Sequence, residues 1–417
     1  MTRMGWRGYA LLAGLVVLAG LVTLVVSQRG YLSEGFPFLR SEPEIALPGD
    51  RPFSEGRVAP GQEDRAGAAQ AVLEDHLATI GMPALSVAVA VDGEIAWSGA
   101  LGYADVDAGR AAGPQTLFRI GSTSKAVTAT LFARMVDAGL VDPDAPVSAY
   151  LDDLPNPDWA DITLRQLASH TAGIVGYEEN RDLGGLWSSM RLQRHYGDAT
   201  ETLDLFDGSD LLFEPGTDFH YSSYDIQLLA AVLQTVGGAP YPDLVDEWVR
   251  GPLGIDTPRP DAETPERAEF YHVSPRGTVQ RWRAVDLSSK LAGGGFMARP
   301  EDLARMGAAW LEDGFISPQT REMFWTPQTL ADGSVNEQSY ALGWRRNEGV
   351  RGVGDDLVYV HHGGVSKGAM SWLVVVPEKR MAISMMINGH VWPFGDWAGV
   401  YGDLVRIFDP ETEDQLE

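Results

Sequence analysis

The chain is expected to adopt an α/β fold in which strands from both ends pair into one antiparallel sheet around an inserted, mostly helical region. Three observations predict it. An apolar hairpin pattern opens the globular part, three strand-like runs close it, and the long middle is punctuated by Pro and Gly between helix-like segments. At 417 residues the chain suits one large α/β unit or two intermixed subdomains, and 44% hydrophobic residues, with 12 Trp and 14 Phe, supply a sizeable core. That balance excludes wholesale disorder.

Taken in order, residues 1–30 stand apart. Arg3 and Arg7 precede an uncharged apolar run, Gly8–Val26, of 19 residues. This approaches the ~20 residues needed to cross a bilayer and exceeds a cleavable signal core, and no small-x-small site follows it. A buried core helix is the competing reading; the terminal position and basic flank favour a single-pass signal anchor with the globular part on the periplasmic or other extracytoplasmic side. Residues 31–62, rich in Pro and Gly and without periodicity, read as a tether. The globular domain is placed at 63–410, with 411–417 as a tail.

From Glu63 an amphipathic helix is expected. The strand Ala84–Val91 follows, then an Asp92-Gly93 turn and a strand Glu94–Ser98, a strong hairpin signal. Near the other end, Leu357–His361, Ser371–Val376 and Met381–Ile387 read as strands, with Pro377–Arg380 turning between the last two. No internal repeat is present.

Composition narrows function. Residues 31–417 carry 29 basic against 58 acidic residues, which makes nucleic acid and anionic membrane surfaces poor partners. Cysteine is absent, so neither disulfides nor a lipid-modified cysteine contribute.

The chemistry begins at Phe118-Arg-Ile-Gly-Ser122-Thr-Ser-Lys125, which opens a helical pattern running to about Ala138. Ser122 and Lys125 lie three apart, on one helix face. A serine hydroxyl needs a neighbouring base to become nucleophilic, and a helix start favours the negative charge that develops. The chain has four lysines, and only Lys125 has a serine three residues before it. A capping serine beside an exposed lysine is the plainer reading, and the pair alone does not decide.

The surrounding motifs add to it. Ser86–Gly93, Gly102-Tyr-Ala-Asp105 and Phe118–Lys125, followed by Leu164–Ile174, Glu214-Pro-Gly-Thr217, Tyr221-Ser-Ser223, Gly251–Ile255, Ala292-Gly-Gly-Gly-Phe296 and Tyr340–Trp344, come in the order seen in one family. The chain resembles the class C β-lactamase family of penicillin-recognising serine hydrolases, with D-alanyl-D-alanine peptidases and β-lactamase-fold esterases. It is particularly similar to the mitochondrial serine β-lactamase-like proteins. The resemblance covers about 65–408 and implies a β-lactamase/transpeptidase-like fold.

It also implies roles. Ser122 would be acylated, Lys125 would act as base or supporting charge, and Tyr221 would carry the proton. His361-His362-Gly363 would stand at the third motif, with Ser223, His361 and Gly363 contacting substrate. The N–H groups of Ser122 and Gly364 would form the oxyanion hole. Two departures follow: Ser223 stands where lactamases have Asn, and His361 where they have Lys. A histidine of ordinary pKa is mostly neutral at pH 8, so weak β-lactam hydrolysis is expected beside an intact Ser–Lys–Tyr core.

Other patterns carry less. Gly364-Val-Ser-Lys-Gly368 matches a nucleophile elbow, but the chain around it reads as strand and turn. His361 and His362 are neighbours on a strand and point apart, so no metal site is expected. No cofactor is called for, and His170 reads as structural. Function thus reduces to an acyl hydrolase acting on an ester, amide or peptide, with a penicillin binder of little turnover or an assembly protein of the same fold as alternatives.

Overall fold

The Ala84–Ile387 span carries the frame on which the candidate residues hang. The protein is seen in a computed structural model that describes residues 29, 31–34, 36–409 and 411. The Gly8–Val26 run lies outside the described residues, and among those described no helix is long and apolar enough to cross a membrane.

The main sheet is built from β1 (Phe53–Val58), β2 (Ala84–Val91), β3 (Glu94–Asp105), β4 (Arg345–Val350), β5 (Gly354–Ser366), β6 (Ala369–Val376) and β7 (Met381–Ile387). Their order is β4-β5-β6-β7-β2-β3-β1, with antiparallel neighbours throughout, and a short strand Arg110–Ala111 pairs with β3. The two ends of the chain meet where β7 pairs with β2, Met381 opposite Val91 and Ile387 opposite Leu85. Asp92 and Gly93 both take positive φ, 49° and 83°, as a tight type I′ hairpin turn requires.

Alternation along these strands makes two cores. Leu85, Val87 and Val89 of β2, with Met381, Ile383 and Met385 of β7, face helices α1 (Glu63–Ile80) and, at the far end of the chain, Tyr401–Phe408. Ala88, Ala90, Ala382 and Met386 face the other way, toward the helical insertion. The small residues let Pro300–Ala309 lie close: a Cβ on its Gly307 would come within 3.0 Å of Leu373 and 3.2 Å of Ala382. The insertion is centred on α2 (Ser124–Asp137) and α3 (Ser223–Gly237), both largely buried.

The expected tether departs from its reading. Residues 53–58 form β1 against β3, with Phe53 opposite Leu101, and Glu44–Ala46 pairs with Thr278–Gln280. An edge strand needs only backbone pairing on one side, so its side chains carry no hydrophobic period to betray it.

Candidate active site

Ser122 lies in the 3₁₀ turn Gly121–Thr123, between the short strand Phe118–Arg119 and α2. Two glycines permit that turn to press against β5. Gly121 has φ +50°, and a Cβ there would sit 2.5 Å from the Val365 carbonyl oxygen; one on Gly364 would sit 1.8 Å from that of Ile120. Hydroxyls fasten the contact: Ser371 Oγ donates to the Ile120 carbonyl at 2.6 Å and Thr123 Oγ1 to the His362 carbonyl at 3.2 Å. Beyond His361, β4 no longer pairs with β5. The edge carrying the His362 carbonyl also carries the Gly364 N–H two residues on, and it faces the Ser122 turn.

One helical turn beyond Ser122, Lys125 is fully buried. Its Nζ donates to Ser122 Oγ at 3.3 Å, to Ser223 Oγ at 2.9 Å and to the Gly293 carbonyl at 2.9 Å. The Gly-rich stretch after Ala292 thus supplies an acceptor for the ammonium. Tyr221 precedes α3, where Ser222 caps the helix by accepting from the Tyr224 N–H and donates to the Val175 carbonyl at 2.7 Å. The Tyr221 ring lies 4.7 Å from Lys125 Nζ. Burial works against its phenolate, yet the Lys125 and Arg345 charges and hydrogen bonds from Lys125 and Ser122 outweigh burial and hold the phenol below its ordinary value.

Behind Tyr221, His170 packs its ring at 4.4 Å and holds Asp225 Oδ2 at 2.7 Å through Nδ1. Burial drives His170 well down and Asp225 well up, favouring the uncharged form of each. This matches a structural role for His170.

A cavity of about 400 Å³ opens over Ser122 and Ser223, bounded by Tyr177, Lys290 and Lys367. A larger hollow of about 530 Å³, lined by His76 and Arg351, lies away from Ser122 and contains no serine. Among the described residues no group of three His, Asp or Glu side chains is arranged to hold a metal.

The Beta-lactamase family model matches residues 69–400, most of the chain. The chain belongs to the Beta-lactamase family. It is 28% identical over 397 residues to the mitochondrial serine beta-lactamase-like protein LACTB of Homo sapiens, covering 76% of this chain and 72% of that one. It is 33% identical over 195 residues to esterase EstB of Burkholderia gladioli, covering 44% and 49%. Among solved structures, that of SurE superposes with a TM-score of 0.67 at 25% identity, over 83% of this chain and 76% of that one. The protein is accordingly a serine hydrolase of the β-lactamase fold.

Against that family pattern, the structure brings Ser122, Lys125, Tyr221 and Ser223 together and places two expected residues elsewhere. His361 points away from Tyr221, its ring 4.4 Å from Trp372 and its Nε2 2.7 Å from Asn347 Oδ1. A side chain on Gly363 would likewise strike Phe394 at 2.7 Å. The expectation of an ordinary histidine pKa also fails, because burial and the nearby Arg345 charge push His361 down to about 3.

The imidazole on the reactive side belongs to His362. Its Nδ1 lies 2.7 Å from the Gly363 carbonyl and its Nε2 2.9 Å from the Tyr340 hydroxyl. A carbonyl only accepts, so Nδ1 carries the proton and Nε2 accepts from Tyr340. Arg345, which no motif flagged, sets its guanidinium 5.2 Å from the Tyr221 ring and 4.8 Å from that of Tyr340. Its one signal in the sequence is adjacency to the Tyr340–Trp344 stretch.

Proposed function

We propose that the protein cleaves a carboxylic ester or amide through an acyl-enzyme on Ser122. The observation that carries this reading is Lys125 Nζ, 3.3 Å from Ser122 Oγ and under the ring of a phenol whose ionisation it favours. Ser122 Oγ attacks the carbonyl carbon, and its proton passes to the Tyr221 oxygen. Lys125, its Nζ set among the Ser122 and Ser223 hydroxyls and the Gly293 carbonyl, favours the phenolate form of Tyr221. The Ser122 and Gly364 N–H groups receive the oxyanion, a contribution of about 10²–10³ in rate per donor. Tyr221 then protonates the leaving alcohol or amine, and water reverses the sequence to release the acid.

Esters and amides of modest size suit the cavity, and relatives described as an esterase and a D-aminopeptidase act within the same reaction class. Ser223 offers a hydroxyl, already engaged with Lys125, where a lactamase offers an amide; this supports slow β-lactam turnover. A fluorophosphonate should label Ser122, and Ser122→Ala should lose labelling together with hydrolysis of short esters. Labelling that survives Ser122→Ala would overturn the assignment, and labelling without turnover of any ester, D-amino-acid amide or cephalosporin would favour a binding protein.

The 19-residue Gly8–Val26 run and its basic flank support single-pass attachment to the cell membrane, with the enzyme on the extracytoplasmic side. The full chain should sediment with membranes and residues 31–417 should not; a soluble full-length protein would exclude attachment.

A further inference from the structure

Three of the chain's four lysines converge on the cleft in a protein of net charge −26. Lys125 serves Ser122. Lys290 and Lys367 line the cavity farther out, and a carboxylate of the chain itself is seated among them. Residues 31–34 lie in a helical turn that carries Glu34. Its Oε1 accepts from Arg283 Nε at 2.7 Å and its Oε2 from Lys367 Nζ at 2.5 Å. The contact is sheltered, with the Glu34 side chain 16% and that of Arg283 12% exposed. Lys290 stacks its ammonium 4.4 Å over Tyr177 and pairs with no carboxylate among the described residues.

We propose that Lys290 and Lys367, backed by Arg283, form a carboxylate subsite beside Ser122, and that Glu34 occupies it as a displaceable plug.

Three cations around one carboxylate leave the cluster with a net positive charge in a partly dehydrated place, which a second or better-placed anion would relieve. Burial lowers Lys290 to about 8, with Glu34 opposing the shift and Arg283 adding to it. A tie that only held the N-terminal segment would need one arginine and no placement beside a nucleophile. Glu34 also stands between two hollows. On one side is the Ser122 cavity; on the other is one of about 510 Å³, walled by Tyr31, Phe36, Leu186 and Met190, and Glu34, Lys290 and Lys367 line both. Withdrawing the turn at residues 31–34 would join the hollows into one groove with Lys290 and Lys367 exposed to substrate. Resting on the hydrolase reading above, this names the substrate class: an ester or amide whose acyl or leaving part ends in a free carboxylate.

The test uses the full-length chain in detergent and two esters, mono-4-nitrophenyl adipate and its methyl-capped counterpart. The ratio of their kcat/KM values is the readout, so a general loss of activity cancels. Glu34→Gln should raise the acid-to-neutral ratio about tenfold, and Lys290→Gln and Lys367→Gln should each lower it about tenfold, the usual size of one charge-assisted contact. A ratio unmoved by all three, or lowered by Glu34→Gln, overturns the subsite. Should neither ester be cleaved, the result counts against ester hydrolysis and not against the subsite, and titration of monomethyl adipate into Ser122→Ala then decides. Adding Glu34→Gln should tighten that binding about tenfold; equal affinity overturns the plug.

Discussion

His361 and His362 are consecutive residues of one strand, yet their surroundings are opposed. His361 lies against Trp372 and Tyr359, tied to Asn347, on the face covered by aromatic side chains. His362 accepts from Tyr340 and looks toward Tyr221, whose ring is 6.4 Å away. Both are buried and both are held neutral. The difference is what each neutral ring touches: one completes a packing layer, the other hydrogen-bonds Tyr340 beside the Tyr221 ring. The cation absent from the strand motif returns from the neighbouring strand, because Arg345 is the residue paired with His361 in register and its guanidinium reaches Tyr221. A charge can thus be missing from a motif and present in the site.

The sharpest way to break this comparison is to put the motif's lysine back. His361→Lys would set an ammonium among Trp372, Tyr359 and Tyr401 with only Asn347 for company. It should destabilise the fold by about 3 kcal/mol or more, as an uncompensated buried charge does, and leave the cephalosporin-to-ester ratio of kcat/KM unchanged. Urea unfolding and paired kinetics check this; improved cephalosporin turnover would show that position 361 does reach the substrate.

Arg345→Gln should have the next largest effect. Removing the guanidinium lets the Tyr221 phenol rise, so the fraction ionised at a given pH falls. The expected result is a kcat about ten- to a hundredfold lower at pH 7, with the rising limb of the pH–rate profile moved to higher pH. An unshifted limb would assign Arg345 to packing alone.

The smallest effect concerns acid stability. His361 titrates near 3 in the folded protein and near 6.5 when unfolded, so between those values the unfolded chain binds the extra proton. Stability is therefore complete above about pH 6.5 and lost as pH falls toward 3. Removing the imidazole in His361→Phe should lessen the drop in urea midpoint between pH 7 and pH 4.5, even if the variant is less stable at pH 7. An unaltered drop would mean that other groups, such as His362 and His170, dominate acid sensitivity.

Most of the frame was legible locally. The Asp92-Gly93 hairpin, the helix from Glu63 and the strand Met381–Ile387 each follow from short-range pattern or turn chemistry. The Ser122–Lys125 pair was legible because helix geometry alone sets its spacing. What escaped notice lacks a local signal: β1 is a polar edge strand, Arg345 acts through a long side chain from a strand far along the chain, and Glu34 reads as an acidic residue in irregular sequence.

By itself, the sequence marked Ser122 and Lys125 through their spacing on a helix and the sheet that joins the two ends through its hydrophobic period. Tyr221 was marked only by the order of motifs shared with a family, not by a spacing of its own. Only the tertiary structure decided which of two adjacent histidines faces the chemistry, where the replacement cation comes from, and that Glu34 meets Arg283 and Lys367. The reason is physical: strand phase turns on the exact pairing register, and an ion pair between residues hundreds of positions apart leaves no periodic trace in the chain that forms it.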